Sequence, residues 1–320
     1  MLSLGDIFGD DHYPSTITCN DLDLLHKDYR QYLGNICHSI PFFISLGNHE
    51  GENDYYLNQN PPNNLAIWGT YWRKYYYPNP SPNSFYSGNS TEVAGVGLPR
   101  DYYSWTWGDA LFVTLDPYWH SKNAVDNVAG DTAADAQTGT GGGGGGTKKG
   151  ANTNKPAQGG ANGKTKDLWA IGIGDEQYLW LKKTLETSAA KYIFVFAHHV
   201  MGTGRGAVEV SYNYEWGGKD PQGVTTFAQQ RPTWELPIHD LLVKHKVSIF
   251  FQGHDHIFVT QERDGLIYQS MPNPADDTFS LFNDTAYKSG IKAPNSGHVR
   301  VSVTPTAAKV DYFLAARKVD

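Results

Sequence analysis

Four short apolar runs in this chain each lead into a turn whose side chains are able to bind a metal ion. The runs cover residues 2–4, 41–46, 192–197 and 247–251. The turns that follow them are, in order, Gly5-Asp6, Gly47-Asn48-His49-Glu50, His198-His199 and Gly253-His254-Asp255-His256. Continuous apolar runs of this length are typical of strands covered on both faces. Because ligands bind at the sheet edge where the carboxyl ends of parallel strands meet, we expect these turns to lie side by side.

Helical patterns alternate with these strand patterns. They precede three of the runs and cover about 21–34, 175–187 and 233–245. Strands that alternate with helices indicate an α/β sheet. Three further strand patterns follow one another in the C-terminal quarter, at 266–270, 298–303 and 309–314. The sequence therefore predicts a single α/β domain over residues 1–320.

Long segments without a regular pattern separate the core strands. The segment 51–100 is rich in Tyr, Trp, Pro and Asn, and the segment 123–166 contains the six glycines Gly141 to Gly146. A phosphate-binding loop needs Gly, four residues, and then Gly-Lys-Ser/Thr, directly after a strand. Gly163-Lys164-Thr165 supplies only the end of that motif, since Gln158 occupies the position of its first glycine. The glycine-rich insertion is therefore predicted to be a surface loop without regular structure.

Charge, hydropathy and cysteine content exclude several classes of protein. A net charge of −7 and a pI near 5.9 argue against a protein that coats nucleic acid. No apolar run approaches the roughly 20 residues of a membrane-spanning helix. Two cysteines, Cys19 and Cys37, exclude a disulfide framework and a four-cysteine zinc site. The cysteines do not indicate the cellular compartment. A secreted or periplasmic location is the expectation.

Five side chains beyond the strand ends are of metal-ligand type: Asp6, Asn48, His198, His254 and His256. Carboxylate, amide oxygen and imidazole together suit Zn, Mn or Fe better than a calcium site built only from oxygens. His254 and His256 lie two residues apart, so their rings point the same way in an extended segment. Each group alone is more often an ordinary turn, but coincidence at four strand ends is much less expected. The sequence thus predicts a metal site.

The same turns resemble, in order, the motifs of the calcineurin-like metallophosphoesterases. The resemblance covers about residues 1–260, and the C-terminal strands are consistent with the second sheet of that family's fold. It implies a four-layer α/β/β/α sandwich that holds two divalent metals, Zn, Mn or Fe, at the strand ends. It also implies hydrolysis of a small-molecule or macromolecular phosphate ester by metal-activated water, with monoester and diester substrates both open.

The resemblance assigns the ligands residue by residue. Asp6 is expected to bridge both metals. Asn48, His198 and His254 are expected to complete the second metal, and His256 to ligate the first. Binuclear sites of this kind neutralise phosphate oxygens and acidify a bridging water.

Substrate contacts are expected around this centre. His49 is the expected catalytic residue, because the resemblance has it contact the phosphate and protonate the leaving oxygen, with Glu50 or another acid orienting it. His199 is either a substrate contact or a partner behind the ligands. Arg205 and Arg231 are candidate phosphate contacts in the insertions that wall the cleft, although a solvated surface role is the alternative for each.

The chain departs from the family pattern at its beginning. The family starts with Asp-x-His at the end of an earlier strand, and only four residues precede Gly5 here. A parallel strand with its crossover needs a dozen or more residues, so we expect a shortened chain that lacks the first strand-helix unit. The first metal would keep only Asp6 and His256, unless the segment Asp10-Asp11-His12 substitutes. Gly9 occupies the position where purple acid phosphatases carry a tyrosine ligand, which disfavours that subgroup.

Two alternatives remain open. The chain can be a catalytically silent relative that binds one metal and acts as a binding or scaffold protein, which metal content per chain would distinguish from a hydrolase. It can also carry an aromatic carbohydrate-binding surface, although ordinary packing of these rings is favoured. The rings in question are Trp68, Tyr71, Trp72, Tyr75, Tyr76 and Tyr77.

Overall fold

The structure is a computed structural model that describes residues 1–7, 16–57, 64–121, 125, 168–199, 201–202, 204–220 and 222–315. Its α-helices are α1 (Cys19–Cys37), α2 (Asp54–Leu57), α3 (Leu65–Tyr76), α4 (Gly174–Thr187), α5 (Tyr214–Gly217), α6 (Phe227–Gln230) and α7 (Ile238–Lys244). Its strands are β1 (Leu2–Ser3), β2 (Phe43–Ile44), β3 (Ser87–Gly88), β4 (Tyr103–Trp107), β5 (Ala110–Thr114), β6 (Tyr192–Ala197), β7 (Ile249–Gln252), β8 (Phe258–Arg263), β9 (Leu266–Ser270), β10 (Ile291–Ala293), β11 (Gly297–Val303) and β12 (Ala308–Leu314). The glycine-rich segment, apart from Val125, and Asp10-Asp11-His12 lie outside the described residues.

One large mixed sheet organises the described part of the chain. Its eight strands run in the order β10-β8-β9-β7-β6-β5-β4-β3. The four central strands β9, β7, β6 and β5 are parallel to one another, and the outer pairs are antiparallel. The pair β1–β2 is parallel and the pair β11–β12 is antiparallel, each forming a separate two-stranded sheet. The α/β class predicted from the sequence is confirmed.

The two faces of the large sheet bury different layers. Along β6, Val195 packs into the cluster that contains Leu181 of α4 and Leu241 of α7. The neighbouring Phe194 points to the other face, where it meets Val301 and Val310 of the β11–β12 pair. This alternation follows from the two-residue period of a strand, and it explains why β6 is apolar along its whole length.

The small sheet β1–β2 lies on the same face as β11–β12. Phe43 of β2 stacks on Trp105 of β4, with ring centroids 4.3 Å apart. The next residue, Ile44, points the opposite way and packs against Leu33 of α1 and Tyr77 beyond α3. The layers are therefore α4 with α7, the large sheet, the two small sheets, and α1 with α3, which is the predicted α/β/β/α order.

The start of α1 is defined by its sequence. The Thr18 hydroxyl accepts a hydrogen bond from the Asp21 backbone N–H, and the Asp21 carboxylate accepts one from the Thr18 backbone N–H. This reciprocal capping satisfies two backbone donors that a helix start leaves free.

Cys19 and Cys37 are the first and last residues of α1, and both are free thiols. Within the described ranges, no helix combines the length and apolar character that a membrane span requires.

The segment predicted to be irregular, 51–100, contains α2, α3 and β3, so that prediction was wrong. The buried face of α3 has helical spacing but mixed chemistry, because it consists of Leu65, Ala66, Gly69, Thr70 and Arg73. A search for apolar periodicity misses such a face. A helix was also predicted at 233–245, but the observed helix α7 is shorter and begins only at Ile238. Pro237 precedes it, and proline is tolerated at the start of a helix but not within it.

A buried ion pair fixes α3 to the loop that follows Glu50. Arg73 Nε donates to one oxygen of Glu52 at 2.6 Å, and Arg73 Nη2 donates to the other at 2.8 Å. Both side chains are about 1% exposed. Removing one partner of such a pair leaves an uncompensated buried charge, which is far more costly than losing a surface pair.

We therefore expect Glu52→Ala to lower the free energy of unfolding by about 3–5 kcal/mol in urea denaturation. Glu186→Ala is the matched control, because Glu186 pairs with Lys182 at the surface of α4 and should change stability little. Equal effects of the two substitutions would show that the Arg73 charge does not depend on Glu52.

Candidate metal centre

Four side chains meet at the carboxyl ends of β1, β2, β6 and β7. Asp6 follows β1, Asn48 follows β2, His198 comes directly after β6, and His254 lies two residues beyond β7. Since β1 is parallel to β2 and β6 is parallel to β7, each pair of strands delivers its side chains to one edge. We refer to these four residues as the Asp6 cluster.

The distances within the Asp6 cluster are short. His198 Nε2 lies 3.0 Å from Asp6 Oδ2, 3.2 Å from Asn48 Oδ1 and 3.3 Å from His254 Nδ1. His254 Nδ1 lies 3.0 Å from Asn48 Oδ1. Ligand atoms that share a tetrahedral ion at about 2.0–2.2 Å are roughly 3.3–3.6 Å apart, which is close to this spacing.

The chemistry of these atoms fits a cation. His198 Nδ1 hydrogen-bonds to the Leu4 carbonyl oxygen, which leaves the Nε2 lone pair for the cluster. Carboxylate and amide oxygens accept hydrogen bonds and do not donate them. His254 Nδ1 is an acceptor in the tautomer that carries its proton on Nε2 and a donor to Asn48 Oδ1 in the other. In the first tautomer an imidazole nitrogen of His254, one of His198 and the oxygens of Asp6 and Asn48 are all directed at the cluster, and this set of ligand atoms fits a divalent ion.

Backbone conformation brings these groups close. Asp6, His254 and His256 have φ of 52°, 67° and 52°, in the left-handed region that side chains other than glycine rarely adopt. A Cβ on Gly47 would lie 2.3 Å from Asp6 Oδ1, so only glycine allows this approach. Such conformations persist only where the surrounding structure holds them, and they concentrate at functional sites.

Glu50 connects the two loops that carry Asp6 and Asn48. Its carboxylate oxygens accept hydrogen bonds from the backbone N–H of Ile7 at 2.8 Å and of Gly47 at 2.6 Å. The His49 backbone N–H donates to Asp6 Oδ1 at 3.0 Å. The resemblance implies that Glu50 or another acid orients His49, and these hydrogen bonds of Glu50 hold the backbone of the two loops.

Burial and mutual charge shift the titration of the cluster. Burial raises the pKa of Asp6, but the charge and hydrogen bond of His198 outweigh burial and hold this pKa well below its usual range. Burial lowers the pKa of His198, yet Asp6 raises it above the ordinary value. Burial and the neighbouring His199 keep the pKa of His254 well below 6.5, so this imidazole is neutral and available as a ligand.

The other predicted site residues lie near the cluster with different contacts. The His199 ring is buried 4.2 Å from the His254 ring, its Nδ1 lies 3.5 Å from the Tyr118 hydroxyl, and its Nε2 has no hydrogen-bond partner among the described residues. The His256 ring stacks on Phe282 at 5.7 Å. His256 is not in the group of Asp6, His198 and His254, whose ligand atoms lie within 4.8 Å of one another.

The two predicted arginines differ. Arg205 Nη1 donates to Asp255 Oδ1 at 3.0 Å and to the His254 carbonyl oxygen at 3.3 Å, so it lies directly behind the cluster. Arg231 pairs with the buried Glu215 at 3.0 Å, and its guanidinium lies over the rings of Trp169 and Trp234. These contacts occupy Arg231 within the protein and leave it without a place in the proposed function.

The aromatic segment is mostly packed into the protein. Trp72 Nε1 donates to the Cys19 carbonyl, and the Tyr77 hydroxyl donates to the His26 carbonyl, both at 2.7 Å. Of the aromatic residues on α3, Tyr71 and Tyr75 are more than half exposed, at 55% and 67%. Packing therefore accounts for this segment better than a carbohydrate platform.

Sequence reasoning missed a second titratable group, formed by Asp101, Asp116 and His120. The Asp101 oxygens accept from Asn89 at 2.8 Å and from His120 at 2.9 Å. The Asp116 oxygens accept from the backbone N–H of Tyr118 and Trp119. All four carboxylate oxygens thus have protein donors. The sequence offered little to identify this group, because its three residues flank β4 and β5, two strands that were not predicted.

Several solved structures are similar to this chain. PhoD is 15% identical with a TM-score of 0.53, and the match covers 97% of this chain and 62% of PhoD. A purple acid phosphatase from yellow lupin (Lupinus luteus) seeds is 15% identical with a TM-score of 0.48, over 97% of this chain and 43% of that one. A dimetal phosphatase from Danio rerio is 15% identical with a TM-score of 0.40, over 85% of this chain and 71% of that one.

The likeness to PhoD concerns the fold alone, because the identity is low. It confirms the predicted fold class, a mixed α/β sandwich of the metallophosphoesterase type. The chain spans less than two thirds of the length of both PhoD and the lupin phosphatase. Neither a protein-family model nor a curated protein sequence matches it.

The buried Asp116 makes stability depend on pH. Burial, followed by the charge of Asp101, raises the pKa of Asp116 from 3.8 to about 8. The unfolded chain releases this proton at much lower pH than the folded chain, so stability is lost as pH rises through this window. We expect Asp116→Asn to reduce the fall in unfolding free energy between about pH 5 and about pH 8, measured in urea with EDTA. An unchanged fall would mean that Asp116 is ionised in the folded chain.

Proposed function

We propose that this chain is a metal-dependent phosphoester hydrolase and that the Asp6 cluster holds a divalent cation. The observation that carries the proposal is the convergence of four side chains of metal-ligand type at the carboxyl edge of parallel strands, with His198 Nε2 at 3.0 to 3.3 Å from the other three and His254 Nδ1 at 3.0 Å from Asn48 Oδ1. The motif resemblance and the fold shared with PhoD support a phosphate ester as the substrate. The ions that suit these ligands are Zn, Mn and Fe.

A bound divalent cation supplies charge neutralisation for the phosphate and lowers the pKa of a coordinated water. Asp6 would contribute a carboxylate, Asn48 an amide oxygen, and His198 and His254 an imidazole nitrogen each, the ion taking the place of the proton that Asp6 favours on His198. The Leu4 carbonyl keeps His198 in the tautomer that exposes Nε2. His256 is the candidate ligand for a second ion beside Asp6.

His49 is the proposed proton donor to the leaving oxygen. It is half-buried next to Asn48, and its backbone N–H is fixed to Asp6 Oδ1. The charge effect of His49 on the pKa of Asp6 supports a position of the imidazole near the proposed cation site. Arg205 is the proposed phosphate contact, because a guanidinium has five N–H donors and, within the described part of the chain, its hydrogen bonds to Asp255 and His254 use only Nη1.

The alternative is a protein that binds one metal and does not hydrolyse phosphate esters. The position of His256 favours it, because this ring stacks on Phe282 outside the group of Asp6, His198 and His254. A hydrolase with a binuclear centre would bind two ions per chain, and the alternative would bind at most one.

Metal removal and restoration test the proposal. Chain treated with a chelator should lose activity toward p-nitrophenyl phosphate or bis-p-nitrophenyl phosphate and regain it with Mn²⁺ or Zn²⁺. Asn48→Ala should weaken metal binding by about 10-fold or more, because it removes one of four ligand atoms, whereas Asn35→Ala, at an exposed position of α1, leaves the site unchanged. Metal that binds without restoring activity on either ester would support the alternative.

We expect His49→Ala to lower kcat by about 10²- to 10⁴-fold, the usual contribution of general acid catalysis. Metal content, measured by elemental analysis, should stay at the wild-type value because His49 is not a proposed ligand. His38→Ala, which removes an exposed histidine at the end of α1, serves as the control. A loss of metal together with activity would instead make His49 a ligand.

A further inference from the structure

Asp255 lies between His254 and His256 and points away from the cluster into the protein. Its carboxylate is fully buried and accepts three hydrogen bonds. Arg205 Nη1 donates to Oδ1 at 3.0 Å, while the Gly206 backbone N–H and the Tyr287 hydroxyl donate to Oδ2 at 3.0 and 2.6 Å. A buried carboxylate with this many partners is an anchor for the backbone on either side of it.

The segment 282–295 surrounds this anchor. Asn283 Nδ2 donates to the Asp255 carbonyl at 3.1 Å, and Asn295 Nδ2 donates to the His256 carbonyl at 2.6 Å. The Tyr287 hydroxyl, which is buried, is also 2.9 Å from Ser270 Oγ at the end of β9. Each residue of the His254-Asp255-His256 turn therefore has a hydrogen bond or ring contact to the protein behind it.

These contacts act on a turn that is strained by itself. His254 and His256 both have positive φ, a conformation that is unfavourable for side chains other than glycine. Asp255 is the residue between them, and the three hydrogen bonds of its side chain hold the turn in this conformation. If the turn relaxed, the His254 ring would leave the spacing of 3.0 to 3.3 Å that it keeps with Asn48 and His198.

We propose that Asp255 and Tyr287 are positioning residues that hold His254 at the cation site. The proposal rests on the proposed function, since it concerns the same Asp6 cluster. Neither residue touches the ion. Tyr287 fixes Asp255, and Asp255 fixes the backbone from which His254 projects. Partners behind metal ligands typically contribute a factor of about 10–100 to metal affinity.

The experiment compares Tyr287→Phe with a matched control, Tyr178→Phe. Each substitution removes one buried hydroxyl that has hydrogen-bond partners, but the Tyr178 hydroxyl bonds to Leu236 and has no link to Asp255. The readouts are Co²⁺ affinity and the visible absorption spectrum of the Co²⁺ form, which reports coordination geometry. Unfolding free energy of the metal-free chain is measured in parallel.

We expect Tyr287→Phe to weaken Co²⁺ binding by about 10-fold and to change the visible spectrum. Asp255→Asn should weaken Co²⁺ binding by at least the same factor. Tyr178→Phe should lower stability by a similar amount and leave both readouts unchanged. With saturating metal, the KM of Tyr287→Phe for an aryl phosphate should stay within about twofold of wild type while kcat falls.

Equal Co²⁺ affinity and spectra in the two tyrosine variants would overturn the positioning role. That outcome differs from failure of the proposed function, in which the wild-type chain itself would bind no Co²⁺ or would bind it without hydrolysing either ester.

Discussion

The close approach of four side chains of metal-ligand type is the constraint on which the proposed site depends. His198 Nε2 faces Asp6, Asn48 and His254 at 3.0 to 3.3 Å, and the oxygens of Asp6 and Asn48 accept hydrogen bonds without donating any. Bringing these buried polar groups so close removes them from water, which is unfavourable unless protons or a cation lie between them. Their close approach is maintained because the parallel strands end side by side and because hydrogen bonds behind the ligands hold their loops.

Two buried carboxylates outside the Asp6 cluster hold the loops that carry its side chains. Glu50 joins the loop of Asp6 to the loop of Asn48 through the Ile7 and Gly47 backbone amides. Asp255 joins the His254 turn to Arg205, Gly206 and Tyr287. The scaffold therefore stabilises each half of the site from behind, which leaves the ligand atoms facing inward. A cation would offset the cost of bringing them together, which couples metal binding to stability.

Much of this was accessible from sequence, because continuous apolar runs and polar strand ends are local signals. The strand β6 and the helix α4 could be located closely from the sequence. The close approach of Asp6, Asn48, His198 and His254 could be predicted from their place after strands. The helix α3 could not, because its buried face includes Gly69, Thr70 and Arg73. The roles of Asp255 and Tyr287 depend on contacts between residues far apart in the chain, which no local pattern encodes.

Anomalous scattering from crystals grown with Mn²⁺ or Zn²⁺ tests the central claim most directly. The account predicts a strong anomalous peak within about 2.0–2.5 Å of Asp6, Asn48, His198 and His254. A second, weaker peak beside His256 is compatible with that result. An empty Asp6 cluster at saturating metal, or a peak confined to Asp101, Asp116 and His120, would contradict it.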